Sequence, residues 1–572
     1  MRPWPFAVQE GARMSEKARS PVASSRAASS LFAAPMTGRP PTRPPSRPPA
    51  RPGTWPLLAA KLAVAPLPEG IVVGRDRLWE RLDAGVRGRI TLVSAPAGWG
   101  KTVLLASWCR ADRPTGGRST AWLTIEPGDH GPRFWRYLTA ALRGVTAGNE
   151  GVVDAVAGPA PVGHDRRRLE ALAAELACRS EPVVLVLDDA HRILDDRHRA
   201  DAPGLFADLD FLSRHAGDRL RLVLATRTDP LPTLPRWRLD GELTEIRASD
   251  LAFTVEEAAE LLSVHGIRLP ADQVAALCAG TEGWAAGLRF AALALRGHPE
   301  PTRLVAAFGG DDPSVAAYLT GEVLAALPRQ VQDALVRAAM TEQVSGGLLD
   351  ALTGRADGAH LLAEAARTTG FVIPVDARPD HYRCHRMLRD LLSARLRSLP
   401  DDERLDLHQR AAQWYARHDR PLPALRHALT AGNDELARTL LRDHWADLVP
   451  YRPARQGTTL TVPASPPPPP PHELAADPEL ALAYAVEHLN RPDPAAALGY
   501  LTVAADDGHG HRLGDGRRDW LAAACAALRL ACHQLATEAH QLATEAAGPR
   551  RDTDRLLDTD QLLALAGTVP PA

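Results

Sequence analysis

Eight residues near position 100 have the types and spacing of a phosphate-binding loop. They read Ala95-Pro96-Ala97-Gly98-Trp99-Gly100-Lys101-Thr102 and lie between an apolar run, residues 90–93, and the apolar residues 103–105. A strand, a glycine loop and a helix in this order surround phosphates with backbone N–H groups, while lysine reaches the β/γ oxygens and threonine ligates Mg²⁺. The pattern G-x-x-x-x-G-K-[ST] is met except at its first position, Ala95. We therefore expect ATP or ADP with Mg²⁺ to bind at Ala95, Gly98, Trp99, Gly100, Lys101 and Thr102; the alternative is an ordinary turn.

Lysine usage supports the nucleotide interpretation. The chain contains only three lysines, Lys17, Lys61 and Lys101, and otherwise uses arginine for positive charge. A lysine ammonium group is a compact point charge suited to phosphate contact. Lys101 is therefore expected to contact the nucleotide.

A pair of carboxylates follows a second apolar run, about ninety residues after the loop. Residues 182–187 read PVVLVL and are followed by Asp188 and Asp189. A continuous apolar run of this length is typical of a central strand in a parallel sheet. Asp188 is then expected to hold Mg²⁺ together with Thr102, and Asp189 to orient the attacking water. The alternative is an aspartate pair that caps the next helix.

Three further residues are candidates for contacts with the nucleotide. Arg227 follows the apolar run at 220–225, so it is expected at the same edge of the sheet and within reach of the γ-phosphate. Val73 and Arg75 lie in a hydrophobic-Gly-Arg turn that could pack on the adenine. The alternatives are a surface arginine at a strand end and an ordinary turn at the start of the domain.

Composition limits the remaining possibilities. At 572 residues the chain is expected to form several domains, and its net charge of −2 gives no overall basic field for nucleic acid or membrane. The six cysteines lack C-x-x-C spacing, which predicts neither a zinc site nor a disulfide framework. No apolar run approaches the roughly 20 residues of a membrane helix. We expect a cytoplasmic protein without membrane contact.

The pattern along the chain predicts a multidomain α/β plus α protein. Alternating strands and helices indicate a P-loop NTPase domain with a parallel sheet, and helical pairs with a β hairpin indicate the modules that follow. The expected segments are a disordered Pro/Arg-rich extension at 1–55, the P-loop NTPase domain at 56–248, a helical domain at 249–328, a winged-helix domain at 329–400, a helical arm at 401–450, a Pro-rich linker at 451–475 and TPR-like helical repeats at 476–572.

Seven motifs in order resemble the MalT-type regulators. They are SAPAGWGKT, LVLDDAH, LATRTDP, ELTEIRASDLAFTVEEAAELL, TEGWAAGLRFAAL, FVIPVD with HYRCHRMLRDLLSARL, and LHQRAAQWYARH. These regulators belong to the STAND class of signal-transducing P-loop ATPases and include many LuxR-family transcription factors. The resemblance implies a switch that is inactive with ADP and self-associates with ATP once an inducer binds the helical repeats. It also implies that Ala285 replaces a proline beside the base, and that His385 either approaches the ADP phosphates or is a packed core histidine.

The resemblance stops before a DNA-binding domain. LuxR-type members end in a helix-turn-helix, and nothing after Ala546 matches one, so direct DNA binding is not expected of this chain. The leading hypothesis is an ATP-binding signal-transduction switch with slow regulatory hydrolysis. The alternatives are a non-DNA-binding scaffold or antagonist with a vestigial ATPase that binds full-length relatives, and a small-molecule kinase.

Overall fold

The structure is a computed structural model that describes most of the chain after residue 56. The described residues are 57–67, 72–111, 119–144, 166–194, 202–227, 234–375, 378, 380–448, 468–491, 493–505 and 515–547. The extension predicted at 1–55 lies outside them. None of the described helices is long and apolar enough to cross a membrane.

Five parallel strands form the sheet, and three of them lie at the apolar runs from which it was predicted. They are β1 (Ile90–Ser94), β2 (Ser119–Thr124), β3 (Val183–Asp188), β4 (Leu220–Thr226) and β5 (Leu243–Arg247), in the order β2-β3-β4-β1-β5. β1 and β3 are buried along their whole length, as their apolar sequences require. The register pairs Ser94 with Thr226 and Thr124 with Asp188. The strands that precede the P-loop, the two aspartates and Arg227 therefore end at one edge.

Helices cover both faces of this sheet. They are α1 (Ala59–Leu62), α2 (Asp76–Gly85), α3 (Lys101–Arg110), α4 (Pro132–Gly144), α5 (Arg166–Ala177), α6 (His191–Leu194), α7 (Ala202–His215), α8 (Leu234–Leu239) and α9 (Ala248–Leu251). Neighbouring residues of β1 belong to different hydrophobic clusters, Leu92 to one and Val93 to the other. This alternation is the signature of a sheet buried on both sides.

A helical segment follows the sheet. It comprises α10 (Val255–Val264), α11 (Ala271–Gly280), α12 (Ala285–Leu295), α13 (Pro301–Ala307) and α14 (Pro313–Tyr318), and it continues into a π-helical turn, Leu319–Val323. Thr254 is the N-cap of α10. Its hydroxyl accepts from the Glu257 N–H at 3.2 Å, and the Glu257 carboxylate accepts from the Thr254 N–H.

The next segment has the fold predicted as a winged helix. It contains α15 (Arg329–Ala338), β6 (Val344–Ser345), α16 (Gly346–Thr353), α17 (Gly358–Thr369), β7 (Val372–Pro374), β8 (His381–Cys384) and α18 (Arg386–Arg397). The antiparallel sheet has the order β6-β8-β7, and Val372 pairs with Cys384 as the predicted hairpin requires. This segment shares a hydrophobic cluster with α3, since Leu104 and Phe371 both belong to it.

The remaining helices form one further core. They are α19 (Asp401–Arg417), α20 (Pro421–Thr430), α21 (Asp434–Asp443), α22 (Trp445–Leu448), α23 (Pro478–Leu489), α24 (Pro494–Ala504) and α25 (Asp515–Ala547). Six consecutive prolines, residues 466–471, form the proline run of the predicted linker. Helices on both sides of this proline run contribute to the same hydrophobic cluster. Residues 449–467 lie outside the described part. The end of the proline run is not a free spacer, because the Tyr500 hydroxyl donates to the Pro469 carbonyl at 2.9 Å and Leu474 is buried.

Candidate nucleotide-binding site

The P-loop leaves the end of β1 and enters α3 with two residues in the left-handed region. Gly98 has φ 77° and Gly100 has φ 79°, conformations that glycine adopts without steric cost. α3 begins at Lys101, so the first N–H groups of a ten-residue helix have no partner within the helix. Together with the positive end of the helix dipole, these N–H groups favour an anion at this position.

Lys101 is buried beside the loop that it follows. Its ammonium group donates to the carbonyl oxygens of Ala95 at 2.7 Å and Pro96 at 2.9 Å. Burial lowers the pKa of Lys101 to about 8, and the nearby positive charge of Arg227 acts in the same direction. A phosphate group at this position would stabilise the charged ammonium group and offset its loss of solvation. The surroundings of Lys101 therefore favour a bound anion.

Thr102 and Asp188 meet at the end of β3. The Thr102 hydroxyl donates to the Asp188 carboxylate at 3.0 Å. Burial raises the pKa of Asp188 to about 6, and the adjacent Asp189 adds to this shift. The two oxygen groups predicted to hold Mg²⁺ are therefore in direct contact.

Asp189 and Arg227 lie beside this pair and have partners of their own. Asp189 has φ 55°, and its carboxylate accepts from Arg192 Nε at 3.3 Å. Both terminal nitrogens of Arg227 lie 3.2 Å from one carboxylate oxygen of Glu322. Glu322 belongs to the π-helical turn after α14, so Arg227 joins the sheet edge to a later segment of the chain.

The helical segment covers the P-loop through the start of α12. The Trp284 indole N–H donates to the Ala97 carbonyl at 3.1 Å, and the Ala286 N–H donates to the Gly98 carbonyl at 2.9 Å. A Cβ added at Gly98 would lie 2.8 Å from both Ala286 Cβ and Trp284 Nε1. Gly98 is therefore required by this contact as well as by its backbone angle.

The winged-helix segment approaches the same loop from another side. A Cβ added at Gly370, in the turn before β7, would lie 2.6 Å from Pro96. The buried His385 ring packs edge-on at 5.9 Å from Trp99, 6.1 Å from Trp284 and 5.1 Å from Phe371. The P-loop thus contacts two segments that follow the ATPase sheet in sequence.

A half-buried glutamate connects those two segments. Glu282, with φ 49°, accepts from Arg383 at 3.0 Å and from the Arg386 N–H at the start of α18 at 2.7 Å. Sequence reasoning missed Glu282, Glu322 and the contact of the Trp284 indole. None of them carries a local signal, because each partner is about a hundred or more residues away along the chain.

Val73 and Arg75 lie at the base of the helical segment. Val73 packs in the cluster that contains Leu261. The Arg75 guanidinium group donates to the Leu251 and Ala252 carbonyls and pairs with Glu257 at 2.8 Å. The role of these two residues toward adenine stays a prediction.

Comparison with known proteins identifies two modules. Residues 71–224 match the AAA ATPase domain, and residues 320–404 match the MalT winged helix domain. The chain carries an AAA ATPase domain and a MalT-type winged-helix domain. Its sequence is homologous to the MalT regulators.

Two groups of relatives share most of this chain. It is 33% identical over 431 residues to the serine/threonine-protein kinase PknK of Mycobacterium tuberculosis, covering 75% of this chain and 38% of PknK. It is 29% identical over 396 residues to the HTH-type transcriptional regulator MalT of Cronobacter sakazakii, covering 68% of this chain and 42% of that protein. The chain therefore matches about two fifths of the length of these relatives.

One solved structure is similar over much of the chain. It is a STAND protein with a tetratricopeptide repeat sensor from Pyrococcus horikoshii, with 14% identity, a TM-score of 0.30 and coverage of 85% of this chain and 66% of that one.

The AAA domain and the winged-helix domain together offer groups that fit a nucleotide. His385 has both ring nitrogens buried without a hydrogen-bond partner among the described residues, and the same holds for the Trp99 indole nitrogen. Within the described residues no group of three or more His, Cys, Asp and Glu side chains could hold a metal ion. Mg²⁺ in nucleotide sites is usually bound by one or two protein groups plus phosphates and waters, which Thr102 and Asp188 suit.

Proposed function

We propose that this chain is an ATP-dependent regulatory switch in which the bound nucleotide controls how the helical segment and the winged-helix domain pack on the ATPase sheet. The observation that carries the proposal is that both the helical segment and the winged-helix domain contact the P-loop. Trp284 and Ala286 of the helical segment bond to its carbonyl oxygens, and Gly370 and His385 of the winged-helix domain pack against it. A nucleotide at this loop lies where three parts of the chain meet.

The proposed roles follow from position. Lys101 and the N–H groups at the start of α3 bind the phosphates, and Thr102 with Asp188 holds Mg²⁺, which would neutralise phosphate charge when bound. Asp189 orients the water for slow hydrolysis. His385, whose ring nitrogens have no hydrogen-bond partner in the described part of the chain, supplies a polar group to the phosphates from the winged-helix side.

Arg227 is proposed to report the γ-phosphate by changing partner. In this structure it pairs with Glu322, with side chains 30% and 48% exposed, so the pair is only weakly stabilising. A γ-phosphate near Lys101 offers a stronger, charge-assisted acceptor. Loss of the Glu322 pair would then release the π-helical turn that precedes α15 only in the ATP state.

The consequence proposed for the whole chain is self-association in the ATP state, with an inducer sensed by the helices after residue 400. The relatives' names support regulation as the setting of this switch. The proposal concerns the shared region alone, which covers 38% of PknK and 42% of MalT, and it includes neither DNA binding nor protein phosphorylation.

Hydrogen–deuterium exchange tests the proposed packing change. We expect the start of α12 and the β7–β8 hairpin to exchange faster with a non-hydrolysable ATP analogue than with ADP, while α23 and α24 stay unchanged. Calorimetry must first show that both nucleotides bind, which also separates this proposal from the vestigial-ATPase alternative. Identical exchange with both nucleotides bound would contradict the switch.

A further inference from the structure

A cavity of about 620 Å³ lies between the winged-helix domain and the helices that follow it, away from the P-loop residues. It is lined by residues of three stretches: 339–348, 375–389 and 408–430. Its volume is within the range of small-molecule sites. A ligand in it would contact both the β6–β8 strands and helices α19 and α20.

The charged lining of this cavity is mainly positive. Its described charged residues are four arginines, Arg378, Arg389, Arg420 and Arg426, and one glutamate, Glu342. Arg426 is already paired with Glu487 at 2.7 Å. Arg378 and Arg420 are exposed and form no ion pair with any residue of the described part of the chain. Since the whole chain has a net charge of −2, this is a local cationic site.

Histidines add hydrogen-bonding groups to the lining. The buried His427 lies 2.8 Å from His408 between their Nδ1 atoms, so one ring donates to the other. Burial lowers the pKa of His408 to about 4 and holds the pKa of His427 well below its ordinary value, so this pair is neutral near pH 7. His381 has a buried Nδ1 to which no described residue offers a hydrogen bond. A ligand with an acceptor or donor group would satisfy it.

Apolar groups complete the lining. Met340, Leu348, Pro423 and the Trp414 ring contribute carbon surface. A site with a few convergent polar groups on apolar walls fits an organic molecule better than a bare ion.

We propose that this cavity binds a small organic anion, a metabolite with a phosphate or carboxylate group held by Arg378 and Arg420 and a ring or aliphatic body against Trp414 and Met340. The proposal stands on the cavity itself and is independent of the nucleotide switch. Phosphate and carboxylate share the same charge-assisted donors. The experiment therefore uses one probe of each kind.

Calorimetry on the full chain saturated with ADP tests the proposal, because ADP keeps phosphate probes from the P-loop. The probes are phenyl phosphate and benzoate, with benzyl alcohol as the neutral analogue. At least one anion should bind and benzyl alcohol should not. Arg378→Gln and Arg420→Gln should each weaken binding roughly tenfold or more, since each removes a charged donor.

Both arginines are exposed, so these variants are expected to fold, and unchanged ADP affinity would show it. Arg303→Gln, at an exposed arginine of α13, is the matched control and should bind like the wild type. The proposal is overturned if neither anion binds, if both cavity variants bind as tightly as Arg303→Gln, or if inorganic phosphate binds as tightly as phenyl phosphate.

Discussion

The buried side chain of His385 makes the stability of the folded protein depend on pH. Burial lowers the pKa of His385 to about 4; Glu282 opposes this shift and Arg383 reinforces it. The histidine is therefore neutral in the folded protein at pH 7. Its ring lies among Trp99, Trp284 and Phe371, where no charge is solvated.

We expect acid to destabilise the protein partly through this residue. Because the folded pKa of His385 lies below the ordinary value of 6.5, the unfolded chain binds the proton first as pH falls. The contribution of His385 to the free energy of unfolding is fully present above about pH 6.5. It declines toward pH 4, by up to about 1.4 kcal/mol per pH unit for one histidine. The melting temperature of His385→Phe should therefore fall less between pH 7 and pH 5 than that of the wild type.

The exposed His360 provides the control for this titration. His360→Gln should show the same decline as the wild type, because it leaves His385 and the rings around it unchanged. If His385→Phe and His360→Gln decline equally, His385 is not the group responsible.

At the scale of elements, the start of α12 and the P-loop fit each other at Gly98. Gly98 and Gly100 have almost the same φ, 77° and 79°, so an alanine at either position meets similar backbone strain. They differ in surroundings, since a Cβ at Gly100 would find its nearest atom, Ala285 Cβ, at 3.6 Å. Comparing an alanine at Gly98 with one at Gly100 therefore distinguishes the effect of backbone strain in the loop from the effect of contact with the helical segment.

We predict that Gly98→Ala and Gly100→Ala both weaken ADP binding, but that only Gly98→Ala detaches α12. Amide hydrogen exchange at the start of α12 should rise in Gly98→Ala because the added methyl group meets Trp284 and Ala286 at 2.8 Å. Equal exchange in both variants would mean that α12 does not depend on close approach to the loop.

The turn that carries Glu322 is the second element tied to nucleotide state. If Glu322 competes with the γ-phosphate for Arg227, then Glu322→Gln should raise ATP affinity by up to about fivefold and leave ADP affinity unchanged, as for loss of an exposed ion pair. Competition binding of the two nucleotides by calorimetry measures this difference.

Glu403→Gln is the matched control, since it removes a comparable ion pair, with Arg337 at 2.9 Å, elsewhere in the region matched to the MalT winged helix domain. It should change neither affinity. An equal gain for ATP and ADP in Glu322→Gln would contradict the exchange of partners by Arg227.

For the whole molecule, the sequence predicted what depends on local pattern. The runs at 90–93, 182–187 and 220–225 predicted strands β1, β3 and β4 and hence the edge that carries the candidate site. The hairpin of β7 and β8 was predicted in the same way.

Contacts between distant segments could not be predicted from these patterns. Arg227 and Glu322 are 95 residues apart and Trp284 and Ala97 are 187 apart, so no periodicity or spacing relates them. The shared core of the helices on both sides of the proline run was missed for the same reason. Six prolines indicated a spacer, whereas the packing of α21 against α23 depends on contacts between distant segments.

The central claim is that nucleotide state controls the assembly of this chain through the P-loop. Size-exclusion chromatography with light scattering tests it most directly, on the wild type with ADP, on the wild type with a non-hydrolysable ATP analogue, and on Lys101→Ala with the same analogue. Our account predicts a larger mass only for the wild type with the ATP analogue, because Lys101 is needed to hold the phosphates. The same mass in all three samples, with nucleotide binding to the wild type verified, would contradict it.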